Sequence, residues 1–230
     1  MIVGTAWCPH PPLLLRALTG EQDPAAPVRQ ACRKALAALM KLDPETIVVI
    51  GGADTTKTHR GTTVPERAFG GFGTPTGRSE TLPLSLGIAQ RLLEQAETRV
   101  PVRMWSVSWD ADPERITSLA EELTERPERV GLLVMGDGSA RRSLQAPGYL
   151  DERAFAFDES VHRALTEGDT AALLELDAHL AEELMVAGRA AWQVMAEAVR
   201  LQNGPTRTDM LYADDPFGVM YLVGTWTCVY

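Results

Sequence analysis

The chain has 230 residues, 45% hydrophobic and 23% charged, with a formal net charge of −9. That length and composition suit a globular protein with a sizeable core, read here as one domain over 1–230. The acidic balance, with no basic run longer than Arg141-Arg142, argues against nucleic acid as a partner. No stretch approaches the roughly 18 apolar residues of a membrane span, so no membrane partner is expected, and the N-terminus lacks a signal-peptide pattern. Cys8, Cys32 and Cys228 are scattered and show no CxxC spacing, which predicts reduced thiols in a cytoplasmic protein and argues against zinc-finger chemistry.

The first apolar run, 2–7, predicts a buried strand, and "CPHPP" follows it directly. Prolines at 9, 11 and 12 lack backbone donors and fix φ, and residues before a proline are pushed away from the helical region. The segment therefore reads as a stiff turn that holds His10 at the carboxyl end of a strand, where open α/β sheets place ligands. A helix over 26–41 and a strand over 45–50 come next. The stretch 51–81, with "GGADTTKTHRG" and "FGGFGTPTGRSE", predicts a long loop, the kind that is functional or mobile in a compact domain. "GGFG" lacks the Walker lysine and does not open a helix, so a phosphate loop is disfavoured; a lid over the site is the reading kept.

Helices over 82–97 and 112–126 alternate with strands over 102–107 and 130–136. Strands alternating with helices of this length predict a three-layer αβα fold around a mixed, mostly parallel central sheet. From about 151 to 202 the pattern is helical. Leu180, Leu184, Ala187, Ala191, Val194, Ala198 and Leu201 recur there at alternating four and three, which predicts the buried face of core helices rather than a coiled-coil seam. Strands over 208–213 and 217–225 flank the turn "ADDPFG".

Of four histidines, His162 and His179 fall on helical patterns beside charged residues and read as solvated. His10 and His59 each follow a strand, and two such exits on one edge of a parallel sheet predict imidazoles close enough to share a metal. Carboxylates that could complete the set are Asp54, Asp137, Asp209, Asp214 and Asp215. Two histidines and one carboxylate are the facial triad of non-haem Fe(II) oxygenases, and the same set also suits catalytic Zn(II) holding one activated water.

"PHPPLL" after the first strand, a histidine 49 positions later, "GDGSARRS" and "DDPFGVMYLVGTW" together resemble the class III extradiol ring-cleaving dioxygenases of the protocatechuate 4,5-dioxygenase B-subunit type, whose scaffold the Memo proteins share. The resemblance implies an extradiol-dioxygenase-like oxidoreductase acting on a small, phenolic class of substrate, with Fe(II) as the first expected metal and Zn(II) as the second. It implies metal ligation by His10, His59 and Asp215, with Asp214 as the neighbouring choice. Asp137, Ser139 and Arg141 would line the substrate pocket, with Arg142 as a further anion-binding candidate. A homodimer is among the assemblies it implies. The family's acid/base histidine falls where this chain has Ala140. Loss of such a group commonly removes about 10²–10⁴-fold in rate, and a guanidinium cannot replace it as a base. Two alternatives therefore stand beside the dioxygenase: a non-catalytic metal or small-molecule binding protein of the same fold, and a zinc-dependent hydrolase.

Overall fold

The computed structural model describes residues 1–59 and 82–228. Seven strands form one sheet in the order β3-β4-β2-β5-β1-β7-β6. They are β1 (Ile2–Cys8), β2 (Thr46–Ala53), β3 (Lys57–His59), β4 (Val102–Ser108), β5 (Val130–Met135), β6 (Arg207–Asp214) and β7 (Tyr221–Thr227). The four central strands, β4, β2, β5 and β1, are parallel. The outer strands β3, β7 and β6 join antiparallel. The result is the expected α/β fold with a mixed sheet and a mostly parallel centre.

Sequence character follows position. β1, β2 and β5 are buried along their whole length, as near-continuous apolar runs must be when helices cover both faces. One face carries α1 (Ala26–Met40) and α2 (Leu84–Gln95), packed on Ile47, Val49, Met104 and Leu133. The other carries α3 (Pro113–Thr124), α4 (Arg153–Glu167), α5 (Thr170–Leu174), α6 (Ala178–Glu183) and α7 (Arg189–Arg200), packed on Val48, Ile50, Leu132 and Val134. Alternate residues of each strand thus feed opposite cores, the period-2 rule of a pleated sheet.

The helical stretch 151–202 resolves into α4 to α7. Asp169 and Asp177 cap α5 and α6 by accepting the Ala172 and Leu180 N–H groups, which is why one periodic pattern becomes separate helices. The predicted core stripe holds from Leu184 to Ala198 on its buried members, whereas Leu201 is exposed.

Two expectations change. The predicted loop at 51–81 is shorter from its N-terminal side, because β2 runs on through Gly51 and Gly52 to Ala53 and residues 57–59 form β3. The "GGFG" lid lies outside the described residues. The last strand begins at Tyr221 rather than at 217, since Asp215 to Gly218 close a turn through the Gly218 N–H to the Asp215 carbonyl. No helix among the described residues is long and apolar enough to cross a membrane.

Candidate functional site

The parallel strands end along one edge, and their exits leave to different faces. β1 leads to α1 and β2 to β3 and then α2, towards one face; β4 leads to α3 and β5 to α4, towards the other. Neighbouring exits that part in this way open crevices outside the carboxyl ends of strands, where ligands of such folds bind.

His10 stands at the β1 exit, only 5% exposed. Pro11 is extended, and Pro12 opens a short 3-10 turn over Pro12–Leu14, a position where a missing donor is tolerated. The prolines do brace the turn, and the histidine they hold points inward. Its backbone N–H donates to Asp137 Oδ1 at 2.8 Å, while its Nδ1 lies 3.6 Å from the same oxygen, too far for a hydrogen bond. Among the described residues His10 Nδ1 has no hydrogen-bond partner.

His59 does not reach this corner, contrary to the expectation of adjacent imidazoles. After β2 the chain crosses the end of β4 and turns back antiparallel along its outer side. Register then fixes the separation: His59 pairs with Met104, Met104 with Val49, Val49 with Leu133, and Leu133 with Ala6. β3, which carries His59, and β1, which leads into His10, are four strand spacings apart, about 19 Å at roughly 4.8 Å each. Two nitrogens on one ion lie within about 4.2 Å of each other, and no pair of rotamers closes a gap of that size. His59 Nε2 is instead 3.1 Å from Ser106 Oγ. The Ser106 hydroxyl also lies 2.8 Å from the Thr55 carbonyl, so it ties His59 to the turn between β2 and β3.

The third expected ligand is also engaged elsewhere. Arg142 Nε donates to Asp215 Oδ2, and Arg142 Nη1 lies 3.2 Å from Asp158 Oδ2. Asp214 caps the turn by accepting the Asp215 N–H at 2.9 Å. The residues expected to hold a metal therefore do not fit one as a set. Among the described residues, no group of three or more His, Cys, Asp or Glu side chains is placed to hold an ion.

The expected substrate contacts are internal ones. Ser139 is fully buried, and both its N–H and its hydroxyl donate to Asp158, at 2.9 and 2.5 Å. Burial pushes the Asp158 carboxyl up, against the pull of Ser139 and Arg142. Arg141 Nη1 donates to the Gly148 carbonyl at 2.6 Å. Asp137 serves His10, and the buried Tyr221 phenol is pushed up by its burial and then by Asp137. Ala140 is buried. "GDGSARR" is thus a structural clasp joining β5, α4 and the β6–β7 turn.

An open cavity of about 530 Å³ lies at the β4 end of the same edge, walled by Trp109, Asp110, His179, Glu182, Met185 and Arg189, among others. Trp109 is the first residue after β4. Its N–H donates to the Ala53 carbonyl at 3.1 Å, and its indole Nε1 to Asp54 Oδ1 at 3.3 Å. The ring lies over Gly52, where any Cβ would overlap it; here the close approach requires glycine. Arg189, at the start of α7, is buried and donates to the Trp109 carbonyl, to the Ala111 carbonyl at 3.2 Å and to Gln193 Oε1 at 2.8 Å. Burial pushes its pKa down, and Asp110 opposes that shift.

Sequence reading missed this cavity. No sequence signal marks it, because Arg189, Asp110 and Glu182 each read as charged residues of helical or loop segments until the packing is known. His162 and His179 do sit on helices as expected, in α4 and α6, but His179 also belongs to the cavity wall.

Fold and site together define a three-layer α/β protein with a ligand-sized crevice at the carboxyl ends of its parallel strands. No family model matches the chain, and no curated protein does. Among solved structures it is similar to the crystal structure of uncharacterized protein JW3007 from Escherichia coli K12, with 14% sequence identity and a TM-score of 0.58. The alignment covers 97% of this chain and 99% of that one. Likeness at that identity shows a shared fold.

Proposed function

We propose that the chain is a small-molecule-binding protein on an extradiol-dioxygenase-like scaffold, taking its ligand in the Trp109 cavity. The observation that carries this reading is the cavity itself: about 530 Å³, within the roughly 300–1,000 Å³ of small-molecule sites. It is walled by an indole left 42% exposed while Trp7, Trp105, Trp192 and Trp226 are buried. The separation of His10 from His59, with Asp215 engaged by Arg142, supports binding over the metal chemistry of the dioxygenases. The free, buried cysteines at 8, 32 and 228 support a reducing, cytoplasmic setting.

The second reading is a metal-dependent oxidoreductase, favoured by the buried, unpartnered Nδ1 of His10. One preparation separates the two. The full chain, purified anaerobically, is assayed for bound iron and zinc, for catechol-dependent oxygen uptake, and for calorimetric binding of small aromatic fragments. Binding is expected to be saturable and weakened in Trp109→Ala, with no catechol-dependent uptake. Stoichiometric iron, lost in His10→Ala and accompanied by such uptake, would replace this reading with the dioxygenase; zinc with ester turnover would replace it with the hydrolase.

A further inference from the structure

We infer that the Trp109 cavity selects an organic cation, an ammonium group carried on an apolar body; this rests on the reading of the cavity as a ligand site. The apolar part of the wall comes from Trp109, Ala181, Met185 and Val186. Met185 is a bulky apolar side chain left exposed at φ 56°. That conformation closes the end of α6, with the Met185 N–H donating to the Glu182 carbonyl at 3.0 Å and the Val186 N–H to the Ala181 carbonyl at 2.8 Å, and it turns the thioether out into the cavity wall.

The charges around this apolar wall are mostly negative. Asp110 and Glu182 are exposed members of the wall, and Asp54 accepts the indole N–H at the ring edge. Neighbouring Glu183 is already paired with Arg153 at 2.7 Å, whereas Glu182 has no ion-pair partner among the described residues. The cavity's one arginine does not offset this as a receptor for anions. Arg189 is buried, and its guanidinium donates to two backbone carbonyls and the Gln193 amide. It therefore fixes the loop that carries Trp109, and Asp110 offsets its charge.

An indole face attracts a cation through its quadrupole, most strongly for tryptophan. A carboxylate ligand would meet Asp110 and Glu182 in a chain of net charge −9, and like charges brought together discriminate against the wrong partner. An indole, acidic side chains and apolar side chains in one wall together favour an amine over an isosteric acid.

The test compares phenethylamine, 2-phenylethanol and 3-phenylpropionate on the full chain by calorimetry, with the wild type and with Glu182→Gln, Asp110→Asn and Trp109→Ala. Phenethylamine is expected to bind about tenfold or more tightly than 3-phenylpropionate, and to weaken as ionic strength rises. Each acid-to-amide change is expected to reduce amine affinity by about threefold while leaving 2-phenylethanol unaffected. Equal or tighter binding of the acid, or amine binding indifferent to Glu182→Gln and Asp110→Asn, would overturn the inference while the cavity remained a ligand site. Failure of all three compounds to bind would remove both.

Discussion

Replacing Arg142 with methionine tests the clasp between the "GDGSARR" segment and the turn before β7. Methionine keeps an apolar stem beside Phe155, whose ring centroid lies 4.5 Å from the guanidinium carbon, and removes the charge. Asp158 is left fully buried with only the two Ser139 hydrogen bonds, at 2.9 and 2.5 Å. Breaking a buried pair by removing one partner costs about 3–5 kcal/mol. Ser139 still solvates the carboxylate, so the lower end applies, about 3 kcal/mol. For a chain of this size that lowers the melting temperature by roughly 6–12 °C.

The loss should depend on pH in a definite direction. Burial already raises the Asp158 pKa above its usual 3.8, and removing Arg142 raises it further. Above 3.8 the folded variant then holds a proton that the unfolded chain releases, so acidification favours its fold. The deficit relative to wild type is therefore largest at neutral pH and shrinks as pH falls towards about 4. Urea unfolding followed by circular dichroism at neutral and mildly acidic pH measures it, and Asp158→Asn in the Arg142→Met background should recover much of the loss. A neutral-pH deficit below about 1 kcal/mol, or one equal at both pH values, would refute a buried Arg142–Asp158 pair as the clasp.

The remaining predictions concern other positions. Asp215→Asn should lower stability by less than about 1 kcal/mol, as for a partly exposed ion pair, and leave metal content unchanged; a parallel loss of bound iron would make it a ligand. Gly136→Ala should destabilise by about 1–3 kcal/mol, because a Cβ there falls 2.5 Å from Gly188 Cα. Gly87→Ala, inside α2 with nothing within 4 Å of the new methyl, should stabilise by about 0.5–1 kcal/mol; both are read by thermal melts. Arg29 holds the Asp23 carboxyl down at about 2, from 3.8, so its contribution is complete above about pH 4 and fades as pH falls towards 2. The melting difference between wild type and Asp23→Asn should close over that interval.

The fold was legible because its signals are local and repeated. Apolar runs in β1, β2, β4 and β5, spaced by amphipathic helices, specify a parallel centre whatever their tertiary partners. Asp112, which accepts the Arg115 N–H at 2.7 Å, and Pro113 mark the start of α3 in one dipeptide. The site was less legible because it depends on strand order. Chain order put His59 after the second strand, but nothing in the sequence says that β4 intervenes between β2 and β3. The roles of Asp158 and Arg189 were hidden for a related reason. Each is a charged residue inside a helical pattern, and only the packed structure tells a buried hydrogen-bonded charge from a solvated one.

One set of contacts both moves His59 away and builds the cavity. Three residues, Asp54 to Thr56, carry the chain over the end of β4, and that crossing is tied down on both sides. Ser108 N–H donates to Thr56 Oγ1 at 2.9 Å, and Trp109 N–H to the Ala53 carbonyl at 3.1 Å. With the strap fixed, the next residues can pair only with the free outer side of β4, which places His59 beside Ser106. The same bonds hold Trp109 against Gly52, and Arg189 grips its carbonyl from behind. A chain that brought His59 back to His10 would have to release the strap, and with it the indole that walls the cavity. The position of His59 on the outer side of β4 and the indole wall of the cavity therefore rest on one crossing and its hydrogen bonds.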